Sequence, residues 1–149
     1  MIRFNSNMQQ IAADIGRSSQ QFEAEARQIV ARSTLNAESQ AKQRAPVQTG
    51  NLRSSIGSRF TNNGLTGIVE ATAAHAAFVE FNTRPHIIRA KRAKYLRFKK
   101  GGSVHFRKSV KHPGTTAQPF MRPALEAEKP FFINEITEAA ARAAAGDSS

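Results

Sequence analysis

Apolar residues recur at helical spacing along the first third of the chain, with polar residues between them. The members that repeat every seven residues are Met8, Ile15, Phe22 and Ile29. Such a repeat places apolar side chains on one face of a helix, where they can pack together. The pattern predicts a helix from Phe4 to Arg44, and Pro46 ends it because the residue before a proline disfavours helical geometry.

The length of this predicted helix raises the question of what it packs against. At 1.5 Å per residue it would be about 60 Å long. A compact chain of this size has a radius of gyration of only about 15 Å. We therefore expect one of two outcomes: the helix breaks near residues 16–19, or it projects from the domain and packs on another subunit.

Alternation of apolar and polar residues predicts two β-hairpins in the middle of the chain. In the first hairpin Asn63-Gly64 forms the turn, since both residues tolerate positive φ. In the second, Gly101-Gly102 lies in the turn. The apolar residues of its two strands share one parity, and we expect them on one face that packs inward: Leu96, Phe98, Val104, Phe106 and Val110. The cations would then crowd onto the opposite, outward face.

A short buried helix is predicted between the two hairpins, over residues 73–81. Its apolar positions follow helical spacing: Ala74, Ala77, Phe78 and Phe81. Asn82 comes next and suits a left-handed C-terminal cap, where asparagine often replaces glycine.

The last part of the chain predicts a second long helix, which starts at Pro119. Proline suits the first helical position, where its missing N–H costs nothing. Phe132 and Ile136 belong to the apolar stripe of this helix, and Pro130 should kink or split it. We expect Phe120, Met121 and Leu125 to anchor the start of the helix on the rest of the domain.

Together these elements predict an α+β fold in a single domain over residues 1–149. The expected order is an N-terminal helix (1–44), a hairpin-rich core (45–118) and a C-terminal helix (119–146). The core carries a basic arm (84–112). The two hairpins are expected to form one small antiparallel sheet, with the short helix between them.

Charge is concentrated in the arm. The chain has 22 Lys and Arg against 11 Asp and Glu, for a formal net charge of +11. No acidic residue lies between Glu80 and Glu126, and the cations of this stretch up to residue 111 number eleven: Arg84, Arg89, Lys91, Arg92, Lys94, Arg97, Lys99, Lys100, Arg107, Lys108 and Lys111. This block predicts a polyanion or an acidic protein surface as partner. The alternative is a solvated face without a dedicated partner.

Groups that could carry catalysis or bind a metal are scarce. The chain has no cysteine, which excludes disulfides and thiolate metal sites. Its four histidines lack metal-site spacing, and there is no nuclease-like acidic cluster. We therefore expect no metal, no cofactor and no enzymatic activity. An enzyme would have to use Glu80 or a histidine. No apolar run approaches the ~18 residues needed to span a bilayer, so we expect no membrane contact.

Four segments, taken in order over residues 45–127, carry a resemblance: APVQTGNLRSSI, AAFVEFNTRPHII, AKRAKYLRF and VHFRKSVKHPGTTAQPFMRPALEA. They resemble the small tail-completion or minor tail proteins of long-tailed bacteriophages. That family also has a long N-terminal helix and an alanine-rich C-terminal helix. Asn82 stands where the family usually has glycine.

The resemblance implies a structural virion protein of the phage neck, made in the host cytoplasm. Such a protein would assemble as a ring, with sixfold symmetry expected, that joins the head connector to the tail terminator or tube and lets genome DNA pass. The residues expected to meet the DNA or an acidic partner are Arg84, Arg89, Lys91, Arg92, Lys94, Lys99, Lys100, Lys108 and Lys111. Those expected to pack between subunits are Met8, Ile15, Phe22, Ile29, Phe132 and Ile136.

The alternative function is a free protein that binds nucleic acid without sequence preference. Tyr95, Phe98 and Phe106 lie among the cations and could stack on bases. Because Phe98 and Phe106 are expected in the core, Tyr95 is the exposed candidate. Charge without an aromatic platform favours attraction to the phosphate backbone.

Overall fold

The computed structural model describes residues 20–48 and 50–145 of the chain. Met8, Ile15 and the predicted break at residues 16–19 lie outside this range. The helices are α1 (Gln20–Arg44), α2 (Asn51–Ser54), α3 (Ala76–Phe81) and α4 (Met121–Ala145). The strands are β1 (Ile56–Thr61), β2 (Thr66–Ala71), β3 (His86–Arg89), β4 (Leu96–Lys100), β5 (Ser103–Arg107) and β6 (Ser109–His112). This order confirms the predicted α+β fold.

Helices α1 and α4 pack against each other and bury the predicted apolar stripes. Phe22 and Ile29 of α1 meet Phe132 and Ile136 of α4 in one cluster of buried residues, together with Leu65 from the first hairpin. Burial of each large apolar side chain contributes about 1.5–3 kcal/mol. Phe22 and Ile29 of the predicted stripe therefore lie in the seam between two helices of the same chain.

A second buried cluster lies at the other end of α1. Ala37 and Ala41 are fully buried there and, having small side chains, let their neighbours come close. Phe120 and Met121 are also fully buried in this cluster, and Leu125 packs against it. This confirms the prediction that these three residues anchor the C-terminal helix.

The first hairpin joins β1 and β2 with Ile56 opposite Ala71 and Thr61 opposite Thr66. Its turn has positive φ at Asn63 (55°) and Gly64 (85°), as the Asn-Gly pair predicts. Val69 and Ile56 face the core. Both strands of this hairpin pack against helix α1.

Glu38 of α1 faces this hairpin and has a perturbed pKa. Burial raises the pKa of its carboxyl, but hydrogen bonds from Lys42 and Ser58 and the charge of Lys42 outweigh that effect. The pKa of Glu38 therefore lies below its ordinary value of 4.5.

The strands form three two-stranded antiparallel sheets, β1–β2, β3–β6 and β4–β5, and not the single small sheet expected. Strand β3 was not predicted, and it supplies a partner for β6. The extra pair arises because the chain after the second hairpin returns alongside residues 86–89.

The short helix α3 and the C-terminal helix α4 both differ from the predictions. Helix α3 begins at Ala76, and its buried residues are Ala76 and Glu80. Phe78 and Phe81 are 56% and 52% exposed, so the prediction of a helix with a buried aromatic face was wrong. Helix α4 begins at Met121 and continues through Pro130 to Ala145 as one element, which excludes a split at this proline.

Asn82 has φ 82° and ψ 172°. The positive φ agrees with the prediction, but the ψ lies far from the left-handed helical region. This conformation is populated almost only by glycine.

No helix in the described part of the chain is long and apolar enough to cross a membrane.

Candidate functional site: the basic arm

The arm (84–112) starts from a two-stranded base in which β3 pairs with β6. His86 lies opposite His112 and Ile88 lies opposite Val110. The two imidazole rings stack with their centroids 5.1 Å apart. Directly opposite residues point to the same face of an antiparallel pair. One face of the base therefore holds these four side chains, and the other face holds Ile87, Arg89, Ser109 and Lys111.

The His-Pro-Gly turn closes this base. Gly114 has φ 88°, and a Cβ atom placed on it would lie 2.2 Å from the carbonyl oxygen of Thr83. Only glycine fits such a close approach of two backbones. The approach allows Thr83 and Thr115 to exchange two backbone hydrogen bonds, of 3.2 and 3.3 Å. The turn thus returns the chain tightly beside the segment from which the arm leaves.

Glu80 connects the base of the arm to helix α4. Its carboxylate accepts hydrogen bonds from the backbone N–H groups of Phe120 (2.8 Å), Met121 (3.0 Å) and Arg122 (2.9 Å). The first N–H groups of a helix have no partner within the helix, and the next residue, Pro123, has no N–H. The single carboxylate therefore satisfies all of these donors, and its negative charge lies at the positive end of the helix.

This cap explains why helix α3 turns its glutamate inward and its phenylalanines outward. It also explains the proline-rich segment at 119–123, which the carboxylate holds against the core. Glu80 is one of the groups that the sequence offers to an enzyme, the histidines being the others. In the structure the side chain is only 4% exposed and its oxygens accept from three backbone donors.

The outer half of the arm is the β4–β5 hairpin, and its register differs from the expectation of one apolar face. The turn has two residues, Gly101 (φ 59°) and Gly102 (φ 82°), and Lys100 pairs with Ser103. Each even-numbered residue therefore lies opposite an odd-numbered one. Leu96 and Phe98 share a face with Lys100, His105 and Arg107, whereas Val104 and Phe106 share the other with Arg97 and Lys99. The predicted separation of an apolar and a cationic face was wrong, since both faces are mixed.

A bulge of five residues, 91–95, separates the two halves of the arm, which are the β3–β6 base and the β4–β5 hairpin. The N–H of Ala90 donates to the carbonyl of Lys108 at 3.0 Å, and the next paired residue on that strand is Leu96. The five residues between Ala90 and Leu96 therefore loop out, since their flanking residues pair with Lys108 and Arg107, which are adjacent in sequence. This loop carries Lys91, Arg92 and Lys94, and the Lys94 ammonium lies 5.9 Å from the centre of the Tyr95 ring.

All nine predicted contact residues are exposed: Arg84, Arg89, Lys91, Arg92, Lys94, Lys99, Lys100, Lys108 and Lys111. Among the described residues none of them takes part in an ion pair, and the five ion pairs present all lie outside the arm. Arg97 and Arg107 are exposed as well and belong to the same surface. The residues outside the arm carry eleven cations and eleven acids, so the whole net charge of +11 resides in the arm.

The structure gives the predicted subunit-packing residues another place. Phe22, Ile29, Phe132 and Ile136 are at most 8% exposed within a single chain, because α1 and α4 cover them. Packing between copies by these side chains stays a prediction, and it would require the two helices to separate. The large apolar residues that remain exposed on α1 and α4 are Leu35, Phe131 and Ile133.

An open cleft of about 1180 Å³ lies beside the base of the arm. Its walls include Phe78 and Phe81 of α3, Ile88 of β3 and the stacked imidazoles of His86 and His112. None of the described residues that line it is acidic. Across residues 20–48 and 50–145, no group of three or more His, Asp or Glu side chains is placed to hold a metal ion.

A known protein family matches this chain. The family model described as "Bacteriophage HK97-gp10, putative tail-component" matches residues 4–81, just over half of the chain. The match spans the long N-terminal helix, the first hairpin and helix α3 with Glu80, and it ends before the arm. Neither the curated proteins nor the solved structures contain a significant match.

Proposed function

Since this chain belongs to the HK97-gp10-like family of bacteriophage tail components, we propose that it is a structural neck protein that assembles as a ring. The ring joins the head connector to the tail terminator or tube and lets genome DNA pass through its centre. The match over residues 4–81 carries this proposal, because it supports a phage tail component and such a component acts together with other virion proteins.

The arm is the part that we assign to contact with an anionic partner. Its cations are exposed and have no counter-charges within the described chain. Keeping so many like charges together costs free energy through self-repulsion. An acidic protein surface or DNA would offset that repulsion in the assembled particle. The protein acts in this proposal without catalysis, with Glu80 serving the fold.

The contacts between copies are assigned to exposed apolar residues on the helices. Phe131 and Ile133 are 67% and 48% exposed. Residues two positions apart on a helix point about 200° away from each other. These two side chains therefore lie on opposite sides of the buried face of α4. A ring needs two different surfaces on each subunit, one for each neighbour. The two flanks of α4 meet that requirement.

Mass measurement of the purified protein tests the ring. Native mass spectrometry of the chain alone, and mixed with connector or tube subunits, should show a closed oligomer of fixed copy number. Phe131→Ser or Ile133→Ser should reduce it to smaller species, whereas the exposed polar change Gln28→Ser should not. A protein that stays monomeric in every mixture would contradict the proposal.

Charge reversal tests the arm in the same setting. The triple variant Lys91→Glu, Arg92→Glu, Lys94→Glu changes only exposed residues of the bulge. We expect the subunit to stay folded and the joining of heads to tails to fail. Wild-type yields of complete particles would refute the role of the arm.

A free nucleic-acid-binding protein is the second candidate, and the exposed cationic arm favours it. It predicts DNA affinity that falls steeply with salt, about 0.9 log units per log unit of salt for each phosphate neutralised. It needs no ring and no other virion protein. A stable monomer that binds DNA would select it over the neck protein.

A further inference from the structure

The acidic residues in the described part of the chain are too few to neutralise the arm. Nine glutamates lie in the described residues. Five of them, Glu23, Glu25, Glu38, Glu70 and Glu135, form ion pairs within the chain. Glu80 and Glu128 are buried. A neighbouring copy therefore offers two exposed carboxylates in this part, Glu126 and Glu138, against eleven cations of the arm. The partner has to be a molecule with a higher density of negative charge.

The outer half of the arm displays cations on both faces. Arg97 and Lys99 project from one face of the β4–β5 ribbon, and Lys100 and Arg107 project from the other. A ribbon that lies flat on a protein surface pairs one face and leaves the other in water. A partner that uses all four charges has to present negative walls on both sides of the ribbon.

Double-stranded DNA has this shape. Its major groove is about 12 Å wide and admits a two-stranded β-ribbon. Phosphates line both edges of the groove, with one charge per ~1.7 Å of helix axis. We infer that the β4–β5 ribbon enters a groove of duplex DNA and that its two faces contact the phosphates of the two opposite strands.

The bulge adds contacts outside the groove. Lys91, Arg92 and Lys94 leave the ribbon at its base, where they can reach the phosphates beside the groove without entering it. Phe98 stacks on His105 with ring centroids 5.6 Å apart, so this aromatic ring is already paired within the ribbon. Phosphate contacts of this kind position the protein and carry no sequence information. The binding is therefore independent of DNA sequence.

This inference rests on the proposed function for the presence of genome DNA beside the protein. Its test is fluorescence anisotropy of the full chain with a labelled random-sequence duplex, titrated between 50 and 200 mM salt. One variant neutralises the first face (Arg97→Gln, Lys99→Gln) and another the second face (Lys100→Gln, Arg107→Gln). A matched control neutralises two exposed cations outside the arm, Arg53→Gln and Lys129→Gln.

Each face variant should lower the salt slope of the log affinity by about 1.8, since two phosphate contacts are lost. Over this salt range the wild type should then lose about 12-fold more affinity than either variant. The quadruple variant should show the sum of the two effects, and the control should match the wild type.

Two results would overturn the inference. Loss confined to one face variant would mean that the ribbon lies flat on its partner. Equal affinity and equal salt slopes for wild type and both variants would mean that the ribbon does not enter a groove of DNA. Circular dichroism of each variant shows that it is folded. Mass measurement without DNA on the same samples separates this result from the ring, because a ring that forms with no face-dependent DNA binding leaves the proposed function standing.

Discussion

Removing the charge of Glu80 tests how much the fold depends on one tertiary cap. In Glu80→Gln the remaining side-chain oxygen can accept the two bonds from Phe120 and Met121, which now share one carboxylate oxygen. The new NH2 group would face the N–H of Arg122, so that bond is lost. A hydrogen bond to a charged group contributes about 1.5–3 kcal/mol. Loss of a negative charge at a helix N-terminus costs about 0.3–1 kcal/mol more. We expect a decrease of about 2–4 kcal/mol in the free energy of unfolding.

Urea unfolding followed by circular dichroism measures this loss. Glu126→Gln is the matched control, because Glu126 is an exposed carboxylate near the start of the same helix. It should change stability by no more than about 0.5 kcal/mol. Amide exchange gives an independent readout, since the N–H of Arg122, whose bond is lost, should lose protection in Glu80→Gln. A variant as stable as the control, with the Arg122 amide still protected, would refute the cap.

Three further predictions concern the backbone, and a fourth concerns the titration of Glu38. Asn82→Gly should stabilise the protein by about 1 kcal/mol in thermal unfolding, because it relieves the positive φ; a destabilised variant would contradict the conformation. Gly114→Ala should lower the free energy of unfolding by at least about 2 kcal/mol, and Gly101→Ala by about 1 kcal/mol. Both positions need positive φ, but only a Cβ atom at residue 114 would meet a nearby backbone. Equal effects would refute this close approach. Pro130→Ala should gain about 1–3 kcal/mol of helix stability, and no gain would mean that α4 has adapted to the proline. Because the pKa of Glu38 is lower in the folded chain than in the unfolded chain, its carboxylate stabilises the fold at any pH above the unfolded pKa. That stabilisation disappears as pH falls through the folded pKa. The stability gap between wild type and Glu38→Gln should therefore narrow below pH 4.5; a constant gap down to pH 2 would contradict this.

Local signals in the sequence were sufficient for the helices and the turns. The seven-residue stripe placed Phe22 and Ile29 on a buried face, and the Asn63-Gly64 pair marked the first turn. These features depend on neighbours a few residues away, and such neighbours are visible in the sequence. The concentration of charge in the arm is also a property of the sequence alone, and so is the absence of acids that could neutralise it locally.

The identity of the residues that cover each face depended on long-range pairing. The alternation in the second hairpin was read correctly, but a two-residue turn pairs even with odd positions and so divided its apolar residues between two faces. Strand β3 carries two adjacent isoleucines without alternation, and only its partner β6 makes it a strand. Its β-branched residues were the one signal that could have indicated it.

The sequence by itself determined where helices form, where the chain turns and where the charge lies, because these follow from the chemistry of neighbouring residues. The tertiary structure alone decided that Glu80 points inward to cap a helix 40 residues further along the chain. It also decided that Phe78 and Phe81 point outward and that the β4–β5 ribbon is cationic on both faces. The physical reason is that a buried carboxylate needs donors, and the backbone N–H groups that satisfy it come from a segment that only the folded chain brings within reach.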